Sequence, residues 1–185
     1  MLSDWIVEID LNVLNWIQEN LKSDVLDRIV PIITFLGDKG LIYILIAVIL
    51  LTIPKTRMWG TKVATSLILG IVFGNMLIKN VVARIRPYDV VDNITLLVDK
   101  LSDYSFPSGH TLAAFELLAV VCYMPIKKVY KVLVGCFAFA MAFSRLYLYV
   151  HYPTDVFGGM VLGTLFGIMG VRIVDMIYEE RKAKK

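Results

Sequence analysis

The chain has 185 residues, of which 58% are hydrophobic and 19% are charged, and its formal net charge is +3. Soluble domains average ~45–50% apolar and ~25% charged residues, so this composition excludes a disordered chain, a basic nucleic-acid-binding protein and an ordinary water-soluble enzyme. An integral membrane protein or an unusually apolar core remains.

Residues 1–36 predict an N-terminal segment of two amphipathic helices. Apolar residues recur at helical spacing from Trp5 to Leu21, with Asp10 among the polar residues between them, and again from Val25 to Leu36. Both stretches are short for a span, so we expect them to lie in the membrane interface. Residues 37–185 then form the membrane-embedded domain. A sixth span or a re-entrant hairpin in residues 24–36 is the alternative.

Five apolar runs follow this segment: Gly40–Ile53, Val63–Ile78, Thr111–Ile126, Val132–Ser144 and Val156–Val171. A bilayer core of ~30 Å needs about 20 helical residues, and none of the runs alone has that length. Basic residues near the run ends can snorkel to the interface, so the membrane-spanning helices can continue past the apolar runs. These residues are Lys62, Lys79, Arg145 and Arg172. The sequence predicts an all-α, polytopic membrane helix bundle with five spans, or six under the alternative.

Basic residues between the spans predict the orientation of the bundle. They fall in three connections that alternate correctly to share one side: Lys55, Arg57 and Lys62; Lys127, Lys128 and Lys131; Arg181, Lys182, Lys184 and Lys185. The positive-inside rule makes this side cytoplasmic, with the C-terminus. Residues 1–40 carry seven acids and three bases, which suits the other side of a cell (inner or plasma) membrane.

Reactive side chains collect at the predicted extracytoplasmic ends of the spans, and both histidines of the chain are among them. Lys79 and Arg86 form the first cluster. They are seven residues apart, so a helix would place them on one face ~10 Å apart, and Pro87 would end that helix. Two cations on one face with no acid nearby suit an anion. Interfacial anchoring is the alternative.

The second cluster, Pro107-Ser108-Gly109-His110, precedes the third span. Ser108 is a natural N-cap, and Gly109 lets the backbone approach a ligand closely. The free N–H groups of the first helical turn can bind an anion, and His110 can donate a proton near neutral pH. A simple helix start is the alternative.

The third cluster connects the fourth and fifth spans and contains Ser144, Arg145, His151 and Asp155. Pro153 can occupy the first position of the last helix, which places Asp155 in the first turn within reach of His151. A carboxylate on one ring nitrogen fixes the tautomer and leaves the other nitrogen free to attack.

In this order the three clusters resemble the three signature motifs of the type-2 phosphatidic acid phosphatase superfamily. The residues that carry the resemblance are Lys79-(six residues)-Arg86-Pro87, Pro107-Ser108-Gly109-His110 and Ser144-Arg145-(five residues)-His151-(three residues)-Asp155. The resemblance covers residues 79–155 directly, and its span pattern extends from residue 37 to residue 178.

The resemblance implies a metal-independent phosphatase without a cofactor. His151 would attack phosphorus to form a phosphohistidine, Asp155 would orient it, and His110 would protonate the leaving oxygen. The residues implied to hold the phosphoryl oxygens are Lys79, Arg86, Ser108, Gly109 and Arg145. Arg84 matches no position of the family's motifs, and we expect it to be only an interfacial charge.

A site at the outer end of a helix bundle is reached from the lipid phase, so we expect a phosphorylated membrane lipid as substrate. Undecaprenyl diphosphate ranks first, ahead of phosphatidylglycerophosphate and the lipid A phosphate. The loop from Tyr88 to Phe106, with its apolar patch Ile94–Val98, is expected to cover the site or contact the lipid. No nucleic-acid partner is expected, and the oligomeric state is open.

Other interpretations stay open at this point. A non-hydrolytic transporter of anions or lipid phosphates would use the same cations without a nucleophile. Vanadate-dependent haloperoxidases resemble the same motifs, although their known members are soluble and larger. Glu116 lies inside the third span, where an acid is a candidate for function. We favour instead that it faces a water-filled cavity or pairs with a cation.

Overall fold

The computed structural model describes residues 2–92 and 94–183, and every regular element in this part of the chain is helical. The α-helices are α1 (Leu2–Asn20), α2 (Asp24–Leu36), α3 (Leu41–Thr52), α4 (Arg57–Leu69), α5 (Lys79–Val82), α6 (Gly109–Tyr123), α7 (Lys128–Tyr147) and α8 (Pro153–Ala183). Two 3-10 turns, Asp38–Gly40 and Pro87–Asp89, and a π-helical segment, Gly70–Ile78, join them. Lys184 and Lys185, from the predicted basic C-terminal segment, lie outside the described residues.

Helices contain most of each apolar run predicted from the sequence, although Ile53 and residues 124–126 lie beyond the ends of α3 and α6. The run Val63–Ile78 is divided between α4 and the π-helical segment. Among the described residues, four helical stretches are long and apolar enough to cross a membrane: Asp24–Thr52, Arg57–Asp89, Lys128–Tyr147 and Pro153–Ala183. α6 is shorter, with 15 residues. The chain is therefore an all-helical, multi-pass membrane protein, as predicted, whereas the number of spans stays a prediction.

α6 occupies the centre of the bundle. Nine of its 15 residues are buried, and it contacts α4, α7 and α8. Its apolar side chains belong to the main core, together with Val63 of α4, Met141 of α7 and Val156 of α8. Because other helices surround α6, its first turn is held in a fixed position, and this turn carries His110.

Glycines on α8 allow that helix to approach α6 closely. Gly159, Gly163 and Gly167 recur every four residues and all face α6. A Cβ atom on Gly167 would lie 2.5 Å from Ala119 Cβ and 2.8 Å from the Glu116 carbonyl oxygen. Small residues at such spacing are typical of membrane helices in close contact, because van der Waals packing rather than the hydrophobic effect stabilises them.

The N-terminal helices pack against the end of the bundle that carries the histidines. Gln18 Nε2 donates to the Tyr147 carbonyl at 2.7 Å, and Tyr149 Oη donates to Asn15 Oδ1 at 2.7 Å. Within the predicted apolar stripe of α1, Trp5 and Trp16 are exposed whereas Ile17 is buried, and α1 also buries Asp10 and Leu14. Assigning Asp10 to the polar outer face was therefore wrong. The interfacial location of residues 1–36, and their separation from residues 37–185 as a domain, stay predictions.

Three of the four basic residues that were predicted to snorkel do not reach the protein surface. Lys62 is 2% exposed and its Nζ lies 2.7 Å from Asp175 Oδ1 of α8. Lys79 and Arg145 are also buried, whereas Arg172 is exposed. The prediction failed for Lys62 because an acid on a neighbouring helix neutralises it inside the bundle.

We expect the Gly167→Ala substitution to destabilise the protein, since the new methyl group meets backbone and a short side chain that cannot move aside. Overpacking of this kind costs about 1–3 kcal/mol. The apparent Tm of the purified protein in detergent measures the effect. Gly135→Ala on α7 is the matched control, because its Cβ would come no closer than 3.8 Å to Leu118 Cδ1. Equal Tm values for the two variants would contradict the role of Gly167 in helix packing.

Candidate active site

A cavity of about 340 Å³ opens at the end of the bundle where α5 ends and α6 begins. Charged and polar side chains form one part of its wall: Lys79, Arg86, Asp103, His110 and His151. Apolar side chains from α3, α4, α6 and the π-helical segment form another part: Ile44, Leu67, Ile71 and Leu112. The cavity therefore has a charged part and an apolar part.

Lys79 and Arg86 reach this cavity from different backbone conformations. The helix ends at Val82, because Ala83 adopts the left-handed region with φ 47°. Arg86 is extended, with φ −78° and ψ 153°. The predicted helix from Lys79 to Arg86 is therefore wrong, although the two cations do come together at one place.

Asp103, which the sequence analysis did not single out, lies between these two cations. Its Oδ2 is 2.5 Å from Lys79 Nζ, and its Oδ1 is 2.6 Å from Arg86 Nη2. Burial raises the pKa of this carboxyl, but the hydrogen bond and charge of Lys79, with the charge of Arg86, outweigh burial and lower the pKa to about 2. The expectation that no acid lies near the cations was wrong. The acid is half-exposed, with 52% of its side chain accessible.

His151 is buried and follows a turn in which Tyr149 has a left-handed φ of 59°. Arg86 Nη1 lies 3.3 Å from His151 Nε2. A guanidinium only donates hydrogen bonds, so Nε2 accepts and the ring proton resides on Nδ1. Burial, reinforced by the charges of Arg86 and Arg145, outweighs the interaction of the ring with the Asp155 carboxylate and lowers the pKa of His151 to about 3. The imidazole is therefore neutral at pH 7.

Asp155 lies on the Nδ1 side of His151, with Oδ2 at 3.6 Å from that nitrogen. The same oxygen accepts from Ser105 Oγ at 2.5 Å and from the Tyr152 backbone N–H at 2.9 Å. Pro153 begins α8, as predicted, so Asp155 occupies the first turn. Ser105 also lies 3.5 Å from His151 Nδ1, and it was missed from the sequence.

His110 occupies the first turn of α6, and its Nε2 lies 2.9 Å from Asp38 Oδ1. Asp38 comes from the 3-10 turn between α2 and α3. Ser108 is the N-cap residue, as predicted, but its hydroxyl pairs with Thr111 Oγ1 at 2.9 Å, and its backbone N–H donates to the Asp155 carbonyl at 3.1 Å. Gly109 and His110, rather than the Ser108 side chain, line the cavity.

Arg145 is buried at the end of α7 and donates to Thr34 Oγ1 of α2. It lines a second cavity of about 530 Å³, which lies between α2 and the loop around Leu96–Leu101. Leu101 lines both cavities, so they adjoin. Within the described residues, Arg145 Nε has no hydrogen-bond partner.

The structure thus brings five of the eight predicted site residues to one cavity wall: Lys79, Arg86, Gly109, His110 and His151. Ser108 and Asp155 lie behind that wall, and Arg145 lies beside it. Glu116 lines the inner end of the cavity, where its Oε1 lacks a hydrogen-bond partner among the described residues. In the described part of the chain, no group of three or more His, Cys, Asp or Glu side chains is arranged to hold a metal ion.

Arg84 differs most from its predicted place. Only 18% of its side chain is exposed, and it forms ion pairs with Asp10 and Asp155. It is therefore not a free interfacial charge, because two buried carboxylates hold it inside the protein. An acid on the buried face of α1 was the signal that could have revealed this, since Asp10, Leu14 and Ile17 have helical spacing.

The loop between Tyr88 and Phe106 packs against the protein. Ile94, Leu96 and Val98 contact the buried cluster that includes Tyr147 and Val150. Leu101, Ser102 and Asp103 line the first cavity. The second half of the loop therefore lies over the site, as expected.

Comparisons with known proteins agree on one family. A model of the PAP2 superfamily matches residues 59–179. An undecaprenyl-diphosphatase of Sulfolobus acidocaldarius is 35% identical over 77% of this chain and 69% of its own length. Phosphatidylglycerophosphatase B of Bacillus subtilis is 31% identical over 78% of this chain and 73% of its own length. The crystal structure of Aquifex aeolicus LpxE has a TM-score of 0.77 at 25% identity, and the match covers 88% of this chain and 94% of that one.

We expect Asp103→Asn to increase the affinity for inorganic phosphate, because the carboxylate competes with an anion for Lys79 and Arg86. Loss of this competition strengthens binding about tenfold, equivalent to ~1.4 kcal/mol. With a pKa of about 2, Asp103 is ionised throughout pH 5–8, so the difference persists over that range. Isothermal titration calorimetry in detergent measures it.

Asp89→Asn is the matched control, since Asp89 belongs to the same region but pairs with exposed Lys100 at 3.0 Å. This variant should bind phosphate as the wild type does. Weaker phosphate binding by Asp103→Asn would show that Asp103 holds the cations in place rather than competing for them.

Proposed function

The chain belongs to the PAP2 superfamily, and from this premise we propose that it is a membrane phosphatase that hydrolyses a phosphorylated lipid through a phosphohistidine. One observation carries the proposal. Two histidines, each beside a carboxylate, share a cavity wall with Lys79 and Arg86. Such a site can hold a phosphoryl group, attack it and protonate the departing oxygen.

The nucleophile in this proposal is Nε2 of His151. Its lone pair faces Arg86, while Asp155 and Ser105 lie on the Nδ1 side, where the proton resides. Attack forms the N–P bond as the P–O bond to the leaving group breaks. The low pKa of the buried imidazole keeps Nε2 unprotonated at neutral pH. Its lone pair accepts from Arg86 and is released when Arg86 turns to the phosphoryl oxygens, and Asp155 stabilises the positive charge that the ring gains.

His110 acts as the general acid. Burial and the charge of Arg145 lower the pKa of His110 to about 4, and the contact with Asp38 at 2.9 Å only partly offsets them. The negative charge of a bound phosphoryl group favours the protonated ring that donates the proton. His110 gives its proton to the leaving oxygen, and in the second half-reaction it takes a proton from the water that attacks the phosphohistidine. That water cleaves the N–P bond and releases inorganic phosphate and neutral His151.

Charge at the cavity wall stabilises the transferring phosphoryl group. Lys79 and Arg86 bind its oxygens after Asp103 leaves them, and Arg145 adds a third positive charge from the adjoining cavity. The first turn of α6 provides backbone N–H groups at Gly109, since a helix N-terminus leaves such groups unpaired. Ser108 contributes by holding the start of this turn, since its carbonyl accepts from the Leu112 N–H at 2.9 Å and its hydroxyl pairs with Thr111 Oγ1. Preorganised positive groups of this kind do most of the work in phosphoryl transfer.

For the substrate we propose undecaprenyl diphosphate, with phosphatidylglycerophosphate and the lipid A phosphate as alternatives. The apolar part of the cavity wall suits the hydrocarbon chain of a lipid. Relatives with 31–35% identity are an undecaprenyl-diphosphatase and a phosphatidylglycerophosphatase, which supports this choice of lipids. The basic loops support an active site on the extracytoplasmic side of a cell membrane and a cytoplasmic C-terminus.

We expect purified protein in detergent to release phosphate from undecaprenyl diphosphate, and the rates on phosphatidylglycerophosphate and lipid A rank the alternatives. His151→Ala should lower kcat about thousandfold or more, because it removes the nucleophile. Labelled phosphate should remain on His151 in a rapid acid-free quench of the wild type. Tight lipid binding without turnover would instead support the transporter, and full activity in His151→Ala would contradict the nucleophile.

We further expect the phosphatase rate to be unchanged in excess EDTA and unchanged on adding Mg²⁺ or Zn²⁺. Lys79, Arg86 and Arg145 give the site a positive charge that disfavours a divalent cation. The measurement is phosphate release before and after chelation and dialysis. A loss of activity that one of these ions restores would contradict metal independence.

A further inference from the structure

Arg84 links the candidate active site to the N-terminal helix. Its Nη1 lies 2.7 Å from Asp155 Oδ1, and its Nη2 lies 2.8 Å from Asp10 Oδ2. The guanidinium stacks on the ring of Tyr152, with Cζ 3.9 Å from the ring centroid. Arg84 does not belong to the residues that line the cavity, so it contacts Asp155 from behind the site.

Asp10 is itself firmly held. It is 1% exposed and accepts hydrogen bonds from the Thr154 hydroxyl and, at 3.0 Å, from the Thr154 backbone N–H. Thr154 directly precedes Asp155. α1 is therefore bound both to the arginine that contacts Asp155 and to the turn of α8 that presents it. A buried carboxylate without such partners would be strongly destabilising, so this arrangement indicates a fixed position for Asp10.

The two oxygens of Asp155 are divided between two sets of partners. Oδ1 pairs with Arg84, whereas Oδ2 faces Ser105, the Tyr152 N–H and His151. Rotation of this carboxylate would break contacts on both sides. Arg84 also offsets part of the negative charge of Asp155, and so weakens the stabilisation that Asp155 gives to a protonated His151 ring.

We propose that Arg84 and Asp10 are positioning residues for the Asp155–His151 pair, so that helix α1 is a functional part of the active site. The inference rests on the proposed function, since it assigns these residues to the orientation of the nucleophile. Neither residue touches the phosphoryl group. Their effect is therefore expected on turnover and not on substrate binding.

Steady-state kinetics on undecaprenyl diphosphate test the proposal. Arg84→Gln and Asp10→Asn should each lower kcat about ten- to hundredfold, with KM within about twofold of the wild type, because a misaligned group slows the chemical step. The double variant should be no slower than the slower single variant, because the two residues act as one unit. Arg84→Lys should recover only part of kcat, since an ammonium cannot bridge two carboxylates in a planar fork.

Glu8→Gln is the matched control, because it removes one negative charge from an exposed position of the same helix. It should leave kcat unchanged. The apparent Tm of each variant separates positioning from folding. Unchanged kcat in Arg84→Gln, or a KM that rises in parallel with the loss of kcat, would overturn the proposal.

A second readout does not require turnover. The chain has two histidines, so ¹⁵N imidazole NMR in detergent, with His110→Gln for assignment, follows His151 alone. Groups that face His151 are Asp155, Ser105, Arg86 and Arg145, and all of them remain in Arg84→Gln. Removing Arg84 lets Asp155 stabilise the imidazolium more strongly, so the pKa of His151 should rise above its wild-type value.

Identical His151 titrations in the wild type and Arg84→Gln would overturn the positioning role, whatever the activity. If the wild type released no phosphate from any lipid tested, the proposed function would fail, and the NMR titration would still decide whether Arg84 acts on His151.

Discussion

Three positively charged side chains lie together at one end of an apolar helix bundle. The repulsion between them must be balanced by negative charge, and the rest of the site depends on this constraint. Lys79, Arg86 and Arg145 are buried close to one another, where burial disfavours each charge. Asp103 balances two of them directly. Its side chain is half-exposed and lies in a loop, unlike the fully buried Asp155. In the proposed reaction a phosphoryl group takes the place of the Asp103 carboxylate, so the negative charge beside Lys79 and Arg86 is kept.

The two histidines differ because their neighbours differ. His151 is buried among cations, so its ring is neutral, and its unprotonated Nε2 accepts a hydrogen bond from Arg86. His110 has Asp38 on its Nε2 and lies at a helix start that also faces the cavity. A nucleophile needs a free lone pair, whereas an acid needs a proton to give. Burial lowers the pKa of both rings well below neutrality, and the carboxylate of Asp38 is the neighbour that favours a proton on His110. In the proposed reaction this difference between the neighbours assigns the attack to His151 and the proton transfer to His110.

Much of this could be predicted from the sequence, because hydrophobic runs and fixed motif spacings are local signals. The helices follow the apolar runs, and Pro153 begins α8 as expected. Asp38, Asp103 and Ser105 could not be predicted, since their roles depend on contacts between segments distant in the chain. Lys62 was misplaced for the same reason, because its partner Asp175 lies on another helix. Patterns within one helix do not contain such pairings.

The break in the helix at Ala83 explains how Arg84, which was expected to be only an interfacial charge, comes to face inward. In a continuous helix, residues two apart point in nearly opposite directions, whereas in extended backbone they share a side. After the left-handed Ala83 the chain is extended, and Ser105 N–H donates to the Arg84 carbonyl at 2.8 Å. Arg84 and Arg86 consequently both face inward, while Ile85 between them is 61% exposed. One backbone turn thus directs Arg86 to Nε2 of His151 and Arg84 to Asp155, the carboxylate on the other side of the ring.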